Sequence, residues 1–281
     1  MAVSTINLTT GMRANLFNLQ KTAQDMEVTQ RRMASGLRVN TALDDAINFF
    51  TAQEHRLRAS DLAGRKDGMS EAIQTIKAAN VGVEGITSLI AQAKSLAQSA
   101  LSASASDATD FGTQYGTVIS QINDLAVDSG YKGINLLQSG GLTVEFDAKA
   151  GDSTLRLTGF GDTTTTFTIT GMSDAGTGSG WVSGTTVQSA TIQTSIDGLE
   201  TALDTLRTES KKLSSNLGII NAREDFTSRM VNTLQDGASN LTEADMNEEG
   251  ANMLMLQTRQ ALGMTSLSLA SQAAQAVLRL F

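Results

Sequence analysis

Nine positions between 192 and 220 recur at alternating steps of four and three: Ile192, Ile196, Leu199, Leu203, Leu206, Ser210, Leu213, Leu217 and Ile220, with Ser210 the one polar member. A strict 3.5-residue period held this long keeps one apolar seam facing a partner helix and is the mark of a coiled coil. A second stripe runs from Met69 through Ile73, Ile76, Ala79, Val83, Ile86, Ile90, Ala93 and Ala97 to Leu101, again in steps of three and four. Followed backwards through Leu57, Phe50, Ile47 and Leu43, it predicts a helix from about Asp44 to Leu101, roughly 85 Å long at about 1.5 Å per residue. The absence of Pro removes the residue that most often breaks such helices.

A shorter stripe, Phe111, Tyr115, Val118, Ile122 and Leu125, follows the break at Ser102–Asp107 and predicts a helix that folds back antiparallel. Residues 139–189 change character. They are Gly- and Thr-rich, and the alternating runs 142–146, 154–158 and 167–170 read as strands of β-hairpins. The run Gly171 to Gly184, which contains Trp181, reads as an exposed loop.

The two ends differ again. Between Asn252 and Phe281 the only charged residues are Arg259 and Arg279, while Leu254, Leu256, Leu262, Leu267, Val277, Leu278, Leu280 and Phe281 fall on more than one helical face. A helix apolar on several faces has to be buried on several sides. Leu16, Leu19, Met26 and Met33 give the N-terminal segment a weaker form of the same pattern. These twelve positions are the expected self-assembly residues, with other copies of the chain as partners.

Other functions are disfavoured by composition. A net charge of −8 and a pI near 4.7 argue against nucleic acid as a partner, since that binding relies on clustered Lys and Arg. No run of about 18 apolar residues occurs, so no membrane insertion is expected. Residues 1–20 show no basic segment followed by an apolar stretch and a cleavage site, so no signal peptide of the general secretory type is expected. Without Cys there are no disulfides, and with His55 the only histidine no H-E-x-x-H zinc site is encoded. The paired Gly140 and Gly141 and the cluster Gly176, Gly178 and Gly180 do not stand between a strand and a long helix as phosphate cradles do, and read as turns. No nucleophile with a base, paired carboxylates or metal cluster can be assembled, so neither an enzyme nor a cofactor is expected.

Residues 31–46, R-R-M-A-S-G-L-R-V-N-T-A-L-D-D-A, resemble without a gap the E-R-L-S-S-G-L-R-I-N-S-A-K-D-D-A stretch of bacterial flagellins. Residues 67–70 resemble that family's D-G-I-S, and residues 131–137 its Y/F-N-G-x-x-L-L. Near the C-terminus Asn252, Met253, Gln257, Gln260, Gly263, Leu267, Ala270, Gln272, Gln275, Val277, Leu278 and Leu280 align with the family's ending. Departures are Ala34 and Leu43 for Ser and Lys, Ala274 for Pro, and Phe281 for Leu. The resemblance covers residues 1–137 and 190–281 and fails in the insert between them, which is short for a flagellin.

The resemblance implies a mainly α fold: an antiparallel long-helix coiled-coil rod with paired terminal helices and a small β-hairpin insert. Expected divisions are an N-terminal inner-core helix at 1–35, a spoke at 36–45, rod helices at 46–138, an outer insert at 139–189, a C-terminal rod helix at 190–237 and a C-terminal inner-core helix at 238–281. Export as an unfolded chain through a type III apparatus is implied, followed by assembly into a secreted, extracellular filament for swimming. The implied partners are further copies, flagellar cap and hook-junction proteins and an export chaperone. The terminal helices would order as they stack on neighbours at the filament tip.

Some local readings stay open. Gly36 is either a helix C-cap or the start of a flexible spoke with Leu37, Arg38 and Asn40. Arg38 with Asp44 and Asp45 is either a solvated charge cluster or an intersubunit contact. Thr163, Thr164, Thr165 and Thr166 are either a plain exposed strand or acceptors of O-linked sugars, as flagellins often carry. Gln92, Lys94 and Ser95 stand where flagellins seen by the animal Toll-like flagellin receptor have Arg, Arg and Glu, which implies weak recognition. A hook–filament junction protein and an adhesin acting through the β insert are the rival readings.

Overall fold

Two uninterrupted helices, α2 (Ala46–Leu101) and α4 (Ser189–Thr242), carry the fold, and they are where the two longest stripes lie. The computed structural model describes residues 10–147, 153–160 and 178–278. The other described elements, in chain order, are α1 (Thr10–Ser35), α3 (Ala105–Asp128) and α5 (Met246–Leu278), with two small antiparallel hairpins in the sequence between α3 and α4. The chain divides into one unit of residues up to 57 and from 233 onward, and a second of residues 58–232, the division falling inside α2 and α4.

In the second unit α2, α3 and α4 share one apolar core. It is filled by Ile76, Ile86 and Ile90 of α2, Tyr115 and Ile122 of α3, and Ile192, Leu199, Leu206 and Ile220 of α4. Polar pairs along its flank fix the register of α2 against α4. Lys66 Nζ donates to Ser228 Oγ at 3.4 Å, Ser70 Oγ to Glu224 at 3.1 Å, and Lys94 Nζ to Glu200 at 2.6 Å. Each step up α2, of four and then 24 residues, is matched by an equal step down α4, so the two run antiparallel without a slip.

Two stripes are displaced from their sequence reading. In α3 the buried line is Ala108, Gly112, Tyr115, Ile119, Ile122 and Ala126, with Phe111, Val118 and Leu125 at its margin. Small residues let the backbone approach its neighbours, and the larger ones close over the seam. In the first part of α2, Ala52, Ala59 and Leu62 continue the buried line, whereas Ile47, Phe50 and Leu57, like Leu43 in the turn before the helix, are exposed. Those four share a helical repeat of their own, on a different face.

The connection out of α3 is built by Asn135. Its Nδ2 donates to the carbonyls of Ala126 at 2.8 Å and Val127 at 3.0 Å, satisfying two of the free acceptors at the helix end, while its Oδ1 accepts from Leu137 N at 2.9 Å. Just before it, Tyr131 and Ile134 exchange backbone hydrogen bonds of 2.9 Å across Lys132 (φ 48°) and Gly133 (φ 80°). Two consecutive positive φ angles make this the mirror-image two-residue turn of tight hairpins.

Strands β1 (Gly141–Glu145) and β2 (Thr154–Thr158) pair antiparallel, Thr143 opposite Arg156. Val144, Leu157 and the neighbouring Phe146 join the helical core. Strands β3 (Val182–Ser183) and β4 (Thr186–Val187) form a two-residue hairpin beside Trp181. Contrary to the exposed-loop reading, Trp181 is 1% exposed. Its ring centroid lies 4.7 Å from that of Tyr115, and the Gly112 and Gly178 backbones meet so closely that a Cβ on Gly178 would lie 2.3 Å from the Gly112 carbonyl oxygen. The third run, 167–170, lies outside the described residues.

Candidate assembly surface

Within the first unit α1 packs along α5. Gly263 makes the approach possible: a Cβ there would lie 2.7 Å from Leu19 Cδ2. Nearby, Asn15 Nδ2 donates to Ser266 Oγ at 3.0 Å. Toward the other end of the pair, Arg32 Nη1 donates to Glu249 Oε1 at 3.1 Å, with Glu249 buried and its Oε2 without a partner.

This pairing covers only part of the expected assembly residues. Leu256 is buried and Leu19, Met26, Met33 and Leu267 are half-buried, whereas Leu16, Leu254 and Leu262 are exposed. Val277 and Leu278 fall within α5, but their side chains, like Leu280 and Phe281, lie outside the described residues. Phe17, Met255, Met264 and Leu269, further apolar residues of the same two helices, are exposed as well.

The segment between α1 and α2 is tied down at several points. Gly36, at φ +72°, ends α1 as a left-handed cap, its N–H donating to the Arg32 carbonyl at 2.8 Å. Arg38 N donates to Thr242 O at 2.8 Å and Ala244 N to Gly36 O at 3.0 Å, while Leu37 forms a β-bridge with Glu243. Residues 36–39 are thereby laced to the α4–α5 junction.

Arg38, Asp44 and Asp45 hydrogen-bond to separate partners, although the Arg38 charge adds a minor lowering influence on Asp45. The Arg38 guanidinium donates to the Leu241 carbonyl at 3.3 Å. Asp44 accepts from the N–H groups of Asn40 at 3.1 Å and Thr41 at 2.9 Å, and from the Thr41 hydroxyl at 3.0 Å. Asp45 accepts from Asn48 N at 3.1 Å and stands just ahead of α2 as its N-terminal cap. These hydrogen bonds, led by the Thr41 N–H for Asp44 and the Asn48 N–H for Asp45, hold both carboxyls below the ordinary value.

On α2, Gln92 and Ser95 are exposed and line a groove of about 540 Å³ with Leu96, Gln114, Thr117 and Val118. Lys94 is engaged by Glu200. Thr163, Thr164, Thr165 and Thr166 lie outside the described residues. No helix among the described residues is long and apolar enough to cross a membrane.

The bacterial flagellin N-terminal helical region matches residues 3–140, and the bacterial flagellin C-terminal helical region matches residues 200–281. Flagellin FljO of Caulobacter vibrioides is 26% identical over 290 residues, covering 100% of both chains. A flagellin of Brucella melitensis is 27% identical over 277 residues, covering 95% of each chain. Among solved structures, Bacillus cereus flagellin superposes at a TM-score of 0.45 and 17% identity, covering 57% of this chain and 88% of that one.

Proposed function

The chain belongs to the bacterial flagellin family and is a structural subunit of the flagellar filament, and from that premise we propose that it polymerises through α1 and α5 into the hollow extracellular filament used for swimming. The observation that carries this reading is the apolar surface that α1 leaves uncovered on α5: Leu254, Met255, Leu262, Met264 and Leu269 are each more than half exposed. Burying such a side chain contributes about 1.5 to 3 kcal/mol, and only a neighbouring subunit supplies the cover. Ordering entropy opposes this, so the terminal helices gain their full stability in the polymer.

In this assignment residues 1–35 and 238–281 form the inner core, 36–45 the spoke, 46–138 and 190–237 the rod, and 139–189 the outer insert. The chain leaves the cell unfolded through a type III apparatus. Its transient partners are an export chaperone, the hook-junction proteins on which the first subunits dock and the cap under which later ones fold.

Removal of residues 250–281 tests the reading. The truncated chain is expected to remain a helical monomer that neither forms filaments nor adds to filament seeds, as seen by light scattering and negative-stain electron microscopy. Filaments from the truncated chain would refute the mechanism.

A further inference from the structure

Met255, Leu262 and Leu269 follow one another at steps of seven on α5, so they form one apolar stripe. All three are open to solvent, at 52, 66 and 69% exposure. Met264, at 62%, lies nine residues beyond Met255 and therefore on the opposite side of the helix. Met69, by contrast, is fully buried in the rod core, and the chain has no cysteine. The most exposed thioethers among the described residues are thus those of Met246, Met255 and Met264, all on α5, the helix of the proposed subunit contact.

We propose that Met255 is a reversible oxidation site that makes assembly of the free subunit sensitive to peroxide. The thioether sulfur attacks one oxygen of hydrogen peroxide; the S–O bond forms as the O–O bond breaks, and water leaves. Sulfur loses two electrons and the peroxide gains them, with no net change in protons. The resulting sulfoxide is polar, and placing it in a dry helix–helix seam forfeits its hydration. Reduction by a dithiol through a methionine sulfoxide reductase returns the thioether, with a disulfide and water as products. Met264, on the other face of the same exposed helix, is oxidised as well and adds a cost of its own, so the effect of Met255 is read in a Met264→Leu background.

The inference rests on the assembly reading, so the experiment separates the two. Full-length monomer is treated with hydrogen peroxide, oxygen uptake is mapped to individual methionines by peptide mass, and polymerisation is then measured on filament seeds. Met255 is expected to oxidise well ahead of Met69, and the critical concentration to rise by about tenfold or more, equivalent to about 1.4 kcal/mol per decade. Reductase with dithiothreitol restores assembly; a Met264→Leu chain still shows a raised critical concentration on oxidation, and Met255→Leu in that background lowers the rise sharply. Preformed filaments take up oxygen at Met255 more slowly than monomer. Oxidised Met255 with an unchanged critical concentration overturns the inference alone, as does a Met255→Leu/Met264→Leu chain that stays as sensitive as Met264→Leu. An untreated chain that never polymerises overturns the assembly reading, and the inference with it.

Discussion

Trp181 donates its indole Nε1–H to the Ser195 hydroxyl at 3.2 Å, fastening the far end of the insert to the first turns of α4. Ser195 in turn donates to the Thr191 carbonyl at 3.2 Å, and burial against Trp181 pushes the Tyr115 phenol above its ordinary pKa while its hydrogen bond to Ser195 acts the other way. Tyr115 therefore stays protonated across the physiological range. Trp181→Phe is expected to cost about 1 kcal/mol through the lost hydrogen bond, and Trp181→Ala about 3 to 5 through the cavity. Urea unfolding followed by circular dichroism measures both. In the parent chain the single tryptophan gives a fluorescence check, its emission moving to the red as the clasp opens.

Asn135 makes three hydrogen bonds to the backbone at the end of α3. Asn135→Ala leaves the Ala126 and Val127 carbonyls and the Leu137 N–H without them. The expected loss is about 2 to 3 kcal/mol, with faster amide exchange at Leu137.

Among the described residues Arg32 supplies the one hydrogen bond of the buried Glu249 carboxylate. Arg32→Ala strands that charge and is expected to weaken the terminal-helix pair by about 1 to 3 kcal/mol, read as a higher critical concentration for polymerisation. Replacing both residues, Arg32→Ala with Glu249→Leu, removes the stranded charge and recovers part of the loss. Equal defects in the single and double variants would contradict this account.

Asp44 and Asp45 both titrate below 3.8 in the folded chain. A depressed folded pKa stabilises above the unfolded value, and that contribution is lost as pH falls through the folded one. The melting-temperature gap between the parent chain and Asp45→Asn is thus expected at neutral pH and should close below pH 3.8. A gap that persists unchanged in strong acid would remove the carboxylate from the explanation.

Lys94 is held to Glu200 at 2.6 Å, and Gln92 and Ser95 beside it are uncharged. Weak activation of the animal Toll-like flagellin receptor is expected in a reporter-cell assay. Gln92→Arg together with Ser95→Glu should raise the response by restoring charge-assisted contacts.

Much of the molecule was legible because its main signal is local. The period of an apolar stripe depends only on neighbours in the chain, so it located α2, α3 and α4 and their coiled-coil pairing, and it marked the ends as too apolar to be satisfied alone. The family motif around Gly36 likewise rests on a backbone need: a left-handed residue ends α1 there. Which face of a helix is buried is another matter. Leu43, Ile47, Phe50 and Leu57 form as regular a series as the line through Ala52 and Ala59, and only the packed structure separates them.

By itself, then, the sequence determined the helices, their apolar seams and the apolar excess of the terminal segments, since each follows from spacing and side-chain type, while the antiparallel rod was implied by the family resemblance. The tertiary structure alone decided that Arg38 reaches the Leu241 carbonyl instead of Asp44 or Asp45, that Gly263 admits Leu19, and that Trp181, in a glycine-rich run, is buried. The physical reason is that each of these depends on a partner brought close by folding, and no spacing along the chain encodes the distance between residues that are neighbours only in space.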